Sequence, residues 1–161
     1  MNKAVFLDRD GVINYNSDHY YIYRIEDFLM NKGIPEFLGK LSEKDYLLII
    51  ITNQSGISRG IYSREETEKI HEFLTSELLK HRVRLTEIYY CPHHPEQGNC
   101  LCRKPGTLMI EKAIARFNIN PAASWFIGDS ESDMQAGKEA GLKTLLIRPN
   151  ENILNYLDLF D

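Results

Sequence analysis

The stretch "KAVFLDRDGVIN" (residues 3–14) decides how the rest of the chain is read. "KAVFL" (3–7) has the length and composition of a short buried strand. It runs straight into Asp8, Arg9 and Asp10 and then Gly11. Two carboxylates at the end of an apolar strand are costly unless something neutralises or uses them. The pair is therefore the first candidate for chemistry, and it fixes which strand end to watch.

Outward from that strand the chain alternates. "YLLIIIT" (46–52) is apolar with no polar alternation, the pattern of a strand covered on both faces. "EIYYC" (87–91), "SWFIG" (124–128) and "KTLLIR" (143–148) complete five predicted strands. Between them lie helical patterns. Ile34, Phe37, Leu38 and Leu41 form one stripe, entered through Pro35. Ser63 and Glu66 have capping-box spacing ahead of Ile70, Phe73, Leu74 and Leu78. Ile110, Ala113, Ile114 and Phe117 form a third stripe, and residues 132–140 a fourth helix stopped at Gly141. The alternation predicts an α/β fold with a doubly wound, parallel five-stranded Rossmann-like sheet, helices on both faces, and ligands at the carboxyl ends of the strands. No repeat, low-complexity tract or linker interrupts it, so residues 1–161 are expected to form a single domain.

Composition excludes several function classes. The 161 residues carry a formal net charge of −4 and no basic, aromatic stripe, which disfavours nucleic acid and anionic membranes as partners. No stretch approaches the ~18 apolar residues of a membrane span, and the N-terminus lacks a signal pattern, so a cytoplasmic location is expected. The three cysteines, Cys91, Cys100 and Cys102, fall in one short loop, which is not a disulfide framework. A monomer is the default.

Polar clusters stand where predicted strands end: Asp8 and Asp10; Thr52, Asn53 and Gln54; Asp129 with Asp133. Each alone could be a cap or turn. Together at one sheet edge, with a lysine, they suit Mg²⁺ and a phosphoryl group. One carboxylate could attack phosphorus, and a second could give and take the proton. A threonine hydroxyl and an ammonium could hold the transferring oxygens.

"DRDGV" (8–12), "TNQ" (52–54), "RKP" (103–105) and "GDSESD" (128–133) resemble, in order, the four signature motifs of the haloacid dehalogenase-like phosphohydrolases. The resemblance spans residue 4 to about residue 148. It implies Asp8 as nucleophile, Asp10 as acid/base, and Thr52 and Lys104 as phosphoryl ligands. It also implies Mg²⁺ on the Asp8 carboxylate, the Asp10 carbonyl and Asp129, supported by Asp133. The connection after the first strand is too short for a large cap domain, so loops would have to screen the site. Arg9, between the carboxylates, reads as a packing or salt-bridge residue.

"YYCPHHPEQGNCLCRKPG" places Cys91, His93, Cys100 and Cys102 in one loop. Three thiolates and an imidazole make a closed structural Zn²⁺ site, with His94 as the rival to His93. The loop is similar to that of two branches of the family, the heptose-bisphosphate and the histidinol-phosphate phosphatases. "TNQSGISRG" (52–60) and "DHYY" (18–21) favour the heptose branch. That likeness implies a phosphorylated sugar as the small-molecule substrate, losing its 7-phosphate. It also implies substrate contacts at Asp18, His19, Tyr21, Asn53, Gln54, Ser55, Arg59 and Arg103. Ser130 stands where both branches usually carry a cation, and the zinc loop is short. A phospho-receiver domain would share the aspartate, threonine, lysine and Mg²⁺, but the acid/base two residues past the nucleophile points to turnover.

Overall fold

β1 (Lys3–Leu7) takes the middle of the sheet because every residue from Ala4 to Leu7 is apolar and fully buried. The structure, a computed structural model, describes residues 1–160. The chain continues through α1 (Ile34–Glu43), β2 (Tyr46–Asn53), α2 (Arg64–Lys80) and β3 (Glu87–Cys91). It then forms α3 (Leu108–Arg116), β4 (Trp125–Gly128), α4 (Glu131–Glu139) and β5 (Lys143–Leu146). All pairings are parallel and the sheet order is β3-β2-β1-β4-β5. The predicted five-stranded, doubly wound sheet is thus the one observed.

Alternation along β1 splits the core in two. Val5 and Leu7 face α1 and α2, where Phe37, Leu38, Ile70 and Leu74 are buried. Ala4 and Phe6 face α3 and α4, against Met109, Ile110, Ala113 and Met134. Such two-sided cover explains the unbroken apolar run of β2. In α1, Pro35 sits in the first turn. In α2 the capping box forms as predicted, with Glu66 N–H donating to Ser63 Oγ at 3.1 Å and Ser63 N–H to Glu66 Oε1 at 3.1 Å.

The winding reverses beside β1: successive units move out through β2 and β3, then return to β4 and β5. Leu7 pairs with Ile50 on one side and Ile127 on the other, so the strand-end residues Asp8, Thr52 and Asp129 emerge at one edge. A crevice at such a reversal is where this class of sheet binds ligands. The connection from β1 to α1 carries no helix beyond a short 3₁₀ turn at Ile25–Asp27, so no cap domain covers that edge. No helix among the described residues is long and apolar enough to cross a membrane.

The predicted segments differ in detail. β5 ends at Leu146, two residues early: Ile147 N–H still donates to the Gly128 carbonyl at 2.9 Å, and the chain then turns at Arg148–Glu151. Beyond it, a 3₁₀ helix at Ile153–Leu159 was not foreseen, since its period of three gives no amphipathic stripe. It brings Phe160 fully into the core, with ring centroids 5.5 Å from Phe37 and 5.0 Å from Trp125. Phe160→Ala should therefore lower unfolding free energy by about 3 kcal/mol in urea titrations, in the range of other buried Phe truncations. An unchanged midpoint would mean the C-terminal turn contributes nothing to the core.

Candidate active site and metal centre

The site is built around one buried ammonium. Lys104 Nζ donates to Asp8 Oδ1 at 2.9 Å and to the Ile51 carbonyl at 2.9 Å, and pairs with Asp133 Oδ1 at 2.6 Å. Burial disfavours its charge, but Asp8 and Asp133 outweigh that and raise its pKa. The loop carrying it is clasped to β2 by Asn53: its Nδ2 donates to the Lys104 carbonyl at 3.3 Å, and its Oδ1 accepts from Lys104 N–H at 3.0 Å.

Asp8, Asp129 and Asp133 offer carboxylate oxygens that all lie within 4.8 Å of one another. Burial raises the Asp8 pKa well above the usual carboxylate range, Lys104 opposes this, and the neighbouring Asp133 and Asp129 add to it. Asp129 is raised by burial and by Asp133. Three carboxylates face one ammonium, which leaves two negative charges for a divalent cation to balance. Hard oxygen donors of that charge fit Mg²⁺. Two glycines make room: a Cβ at Gly11 would run into the Asp129 carboxylate, and one at Gly128 into the Asp133 side chain. Asp133 sits in the first turn of α4, where Ser130 Oγ accepts its N–H at 3.3 Å. Ser130 is thus the helix cap.

The two opening carboxylates are not consecutive outward points of an extended strand. Pairing of β1 stops at Leu7, and the chain folds into a turn in which the Arg9 carbonyl accepts from Val12, Ile13 and Asn14 N–H. Gly11 completes it at φ 86°, a left-handed conformation that favours glycine. Other contacts therefore aim Asp10. Its Oδ1 accepts from Arg9 Nη2 at 2.8 Å and Asn14 Nδ2 at 3.0 Å, and its Oδ2 from Gln54 Nε2 at 3.1 Å. Arg9 is fully buried and, as read from the sequence, makes a salt bridge; it also donates to the Ile22 carbonyl at 2.7 Å.

A cleft of about 290 Å³ opens above these groups, lined by Asp10, Asn16, Tyr20, Tyr21, Asn53, Gln54, Ser55 and Arg103. Of the residues singled out as substrate contacts, it gathers Tyr21, Asn53, Gln54, Ser55 and Arg103. Arg59 stands outside and reaches it through Tyr21, with Nη1 3.4 Å from the Tyr21 hydroxyl. Asp18 and His19 are not brought there. They are exposed and line a separate depression, where His19 Nε2 lies 3.5 Å from Asp27 Oδ1. Asn14, Asn16 and Tyr20 were missed. The available signal for Asn14 was a polar residue closing the buried run Val12–Ile13. Asn16 had none, because it is held from the far end of the chain by Asn150 Nδ2 at 3.1 Å.

The cysteine loop forms a second cluster. Cys91, His93, Cys100 and Cys102 converge, with His93 Nδ1 at 3.4 Å from Cys91 Sγ and 3.3 Å from Cys102 Sγ. Cys100 Sγ is 3.7 Å from Cys91 and 3.8 Å from Cys102, the spacing of thiolates around tetrahedral zinc, about 3.8 Å. The Cys91–Cys102 separation of 2.7 Å must open to admit a metal. His94 is occupied elsewhere: its Nδ1 accepts from Glu96 N–H at 3.1 Å, which leaves His93 in the cluster.

Behind Arg9, His71 Nε2 lies 3.3 Å from Arg9 Nη1. Burial, and then the neighbouring guanidinium, lower its pKa to about 3. The unfolded chain takes up this proton near pH 6.5, whereas the folded one resists it until about pH 3. The folded state therefore loses stability as pH falls through that window, by up to about 1.4 kcal/mol per pH unit. His71→Gln keeps an acceptor for Arg9 but cannot titrate. Urea midpoints from pH 6.5 to 4 should fall less steeply for the variant; identical slopes would refute the buried neutral imidazole.

Comparison with known proteins agrees with this geometry. The HAD-hydrolase-like family matches residues 101–152. The D-glycero-beta-D-manno-heptose-1,7-bisphosphate 7-phosphatase of Haemophilus ducreyi is 44% identical over 158 residues, covering 94% of this chain and 86% of that one. The D-glycero-alpha-D-manno-heptose-1,7-bisphosphate 7-phosphatase of Campylobacter jejuni is 45% identical over 145 residues, covering 90% and 81%. Among solved structures, the D,D-heptose 1,7-bisphosphate phosphatase of B. bronchiseptica, complexed with magnesium and phosphate, superposes with a TM-score of 0.85 at 30% identity, covering 98% of this chain and 86% of that one. With the four strand-end motifs gathered at one edge and this likeness along nearly the whole chain, the chain belongs to the haloacid dehalogenase-like hydrolases, in the family of the heptose-1,7-bisphosphate 7-phosphatases.

Proposed function

We propose that this protein is a Mg²⁺-dependent phosphoric monoester hydrolase that removes the 7-phosphate of a D-glycero-D-manno-heptose 1,7-bisphosphate. The observation that carries the reading is the convergence of Asp8, Lys104, Asp129 and Asp133, together with a cleft that Asp10 and Arg103 both line. The cleft thus brings the acid/base candidate next to Asp8 and a guanidinium into one space. That suits a sugar with two phosphates, since an arginine fork grips a phosphate bidentately.

In this reading Asp8 attacks phosphorus and becomes an aspartyl phosphate. Asp10 protonates the departing sugar oxygen and then takes a proton from the water that cleaves the intermediate. Lys104 and Thr52 hold the transferring oxygens, and Asn53, Gln54 and Ser55 line the approach. Mg²⁺ would be held by the Asp8 carboxylate, the Asp10 carbonyl and Asp129, with Asp133 supporting, and would supply charge neutralisation so that two anions can meet. Zn²⁺ on Cys91, His93, Cys100 and Cys102 would fix the loop that delivers Arg103 and Lys104. Relatives named for either anomer match at similar identity, so the C1 configuration is a matter for assay.

The deciding experiment compares both anomers of the bisphosphate, histidinol phosphate and simple sugar monophosphates in the presence of Mg²⁺. One equivalent of phosphate should be released from the bisphosphate, leaving the 1-phosphate; preference for histidinol phosphate would overturn the assignment. Asp8→Asn should reduce turnover to background with an unchanged circular dichroism spectrum. Residual activity above a trace would rule out Asp8 as nucleophile. Arg103→Ala should raise KM for the bisphosphate more than for a monophosphate ester, and equal increases would deny it a second phosphate. Metal analysis should find about one zinc per chain, lost in Cys102→Ser; a zinc-free, fully active protein would remove the metal from the account.

A further inference from the structure

The turn after β2 contains a side chain that the proposed chemistry does not use. Tyr62 is only 5% exposed, yet its hydroxyl donates to Gln54 Oε1 at 2.6 Å. Gln54 is itself 2% exposed. Its amide nitrogen donates in two directions, to Asp10 Oδ2 at 3.1 Å and to Thr52 Oγ1 at 2.9 Å. An amide has one accepting and one donating end. A donor at Oε1 therefore fixes Nε2 toward Asp10 and Thr52.

We propose that Tyr62 is a positioning residue, which orients the Gln54 amide so that Gln54 holds Asp10 aimed at the leaving oxygen. Without that hydroxyl the amide can rotate whenever Asp10 is protonated, and its oxygen would then accept the proton that the leaving group needs. Asp10 then loses its only hydrogen bond on Oδ2 among the described residues, while Arg9 and Asn14 still hold Oδ1. The aim of the carboxyl is thus set from both sides, and Tyr62 sets one of them.

The surroundings are arranged for this ring. A Cβ at Gly56 would collide with it, so Gly56 is what admits Tyr62 to the position. Tyr23 stacks on it at 5.1 Å and 6° between planes, and Tyr21 meets it edge-on at 5.7 Å. Tyr21 also lines the cleft. The segment that screens the cleft and the residue that aims the acid therefore share one aromatic contact. Those ring contacts do not depend on the hydroxyl, so Tyr62→Phe separates orientation from packing.

The inference rests on Asp10 as proton donor, and the test separates the two. An alkyl leaving group such as the sugar oxygen needs a proton in the transition state, whereas p-nitrophenolate departs without one. For Tyr62→Phe, kcat/KM for the sugar phosphate should fall about tenfold, a part of the ~10²–10⁴ that a general acid is worth. For p-nitrophenyl phosphate it should change less than twofold, and the melting temperature should stay within a few degrees. Equal losses on both substrates, or no loss on either, would overturn the positioning role. In a Gln54→Met background, where the amide is absent, adding Tyr62→Phe should cost nothing further on either substrate; additive losses would overturn the route through Gln54. Asp10→Asn, measured alongside, must show a larger split. If it shows none, the acid/base reading itself fails, whatever Tyr62 does.

Discussion

The contact on which the rest depends is the Lys104 ammonium between Asp8 and Asp133. Asp8 follows β1, Asp133 lies in the first turn of α4, and the ammonium also bonds the Ile51 carbonyl of β2. One cation thus joins two strands and a helix at the point where the winding reverses. Removing a partner from a buried pair typically costs about 3–5 kcal/mol, because it strands an uncompensated charge. The site cannot be loosened without loosening the sheet edge. This is why the motif lysine has to arrive from a loop that is itself well anchored.

The anchors of that loop are polar, not apolar. Asn53 clasps Lys104 through both its amide and its carbonyl. On the upstream side Ser58 joins in, with its Oγ accepting from His94 N–H at 2.8 Å and its N–H donating to the Pro92 carbonyl at 3.1 Å. Leu101, in the same loop, is 77% exposed and contributes no core. A loop of this composition has little hydrophobic burial to oppose its conformational entropy. The convergence of Cys91, His93, Cys100 and Cys102, the cluster proposed to hold zinc, lies immediately before Arg103 and would compensate once a metal is bound.

Much of this was legible in the sequence because each signal was local. The apolar run of β2, the Ser63 capping box and the carboxylates at strand ends each depend on neighbours within a few residues. What was not legible depends on contacts between distant residues. The segment carrying Asn16 and Ser17, which leads into the cleft-lining Tyr20 and Tyr21, is held by Asn150, whose side chain reaches Asn16 and Ser17 at 3.1 and 2.9 Å from more than a hundred residues away. The same distance in sequence hid Phe160, which packs on Trp125 and Phe37. Asp18 and His19 show how far a local likeness reaches. A local likeness placed them at the substrate, whereas the turn around Ile25–Asp27 draws His19 toward Asp27.

The reason Asp10 needs so many partners follows from the turn that replaces the extended strand. Asp8 N–H still donates to the Ile127 carbonyl at 3.1 Å, but past Asp8 no strand ladder fixes the backbone, and the Arg9 carbonyl closes a tight turn instead. A carboxyl on such a turn is aimed only as well as its side-chain contacts aim it. Arg9 provides a forked contact from beneath, and is itself held at the far side by His71 and the Ile22 carbonyl. Because that guanidinium is buried, its place cannot be taken by solvent, and its neutral imidazole neighbour adds no competing charge. Thus the residue between the two carboxylates, which faces away from the cleft, is the one that lets the second carboxylate face it.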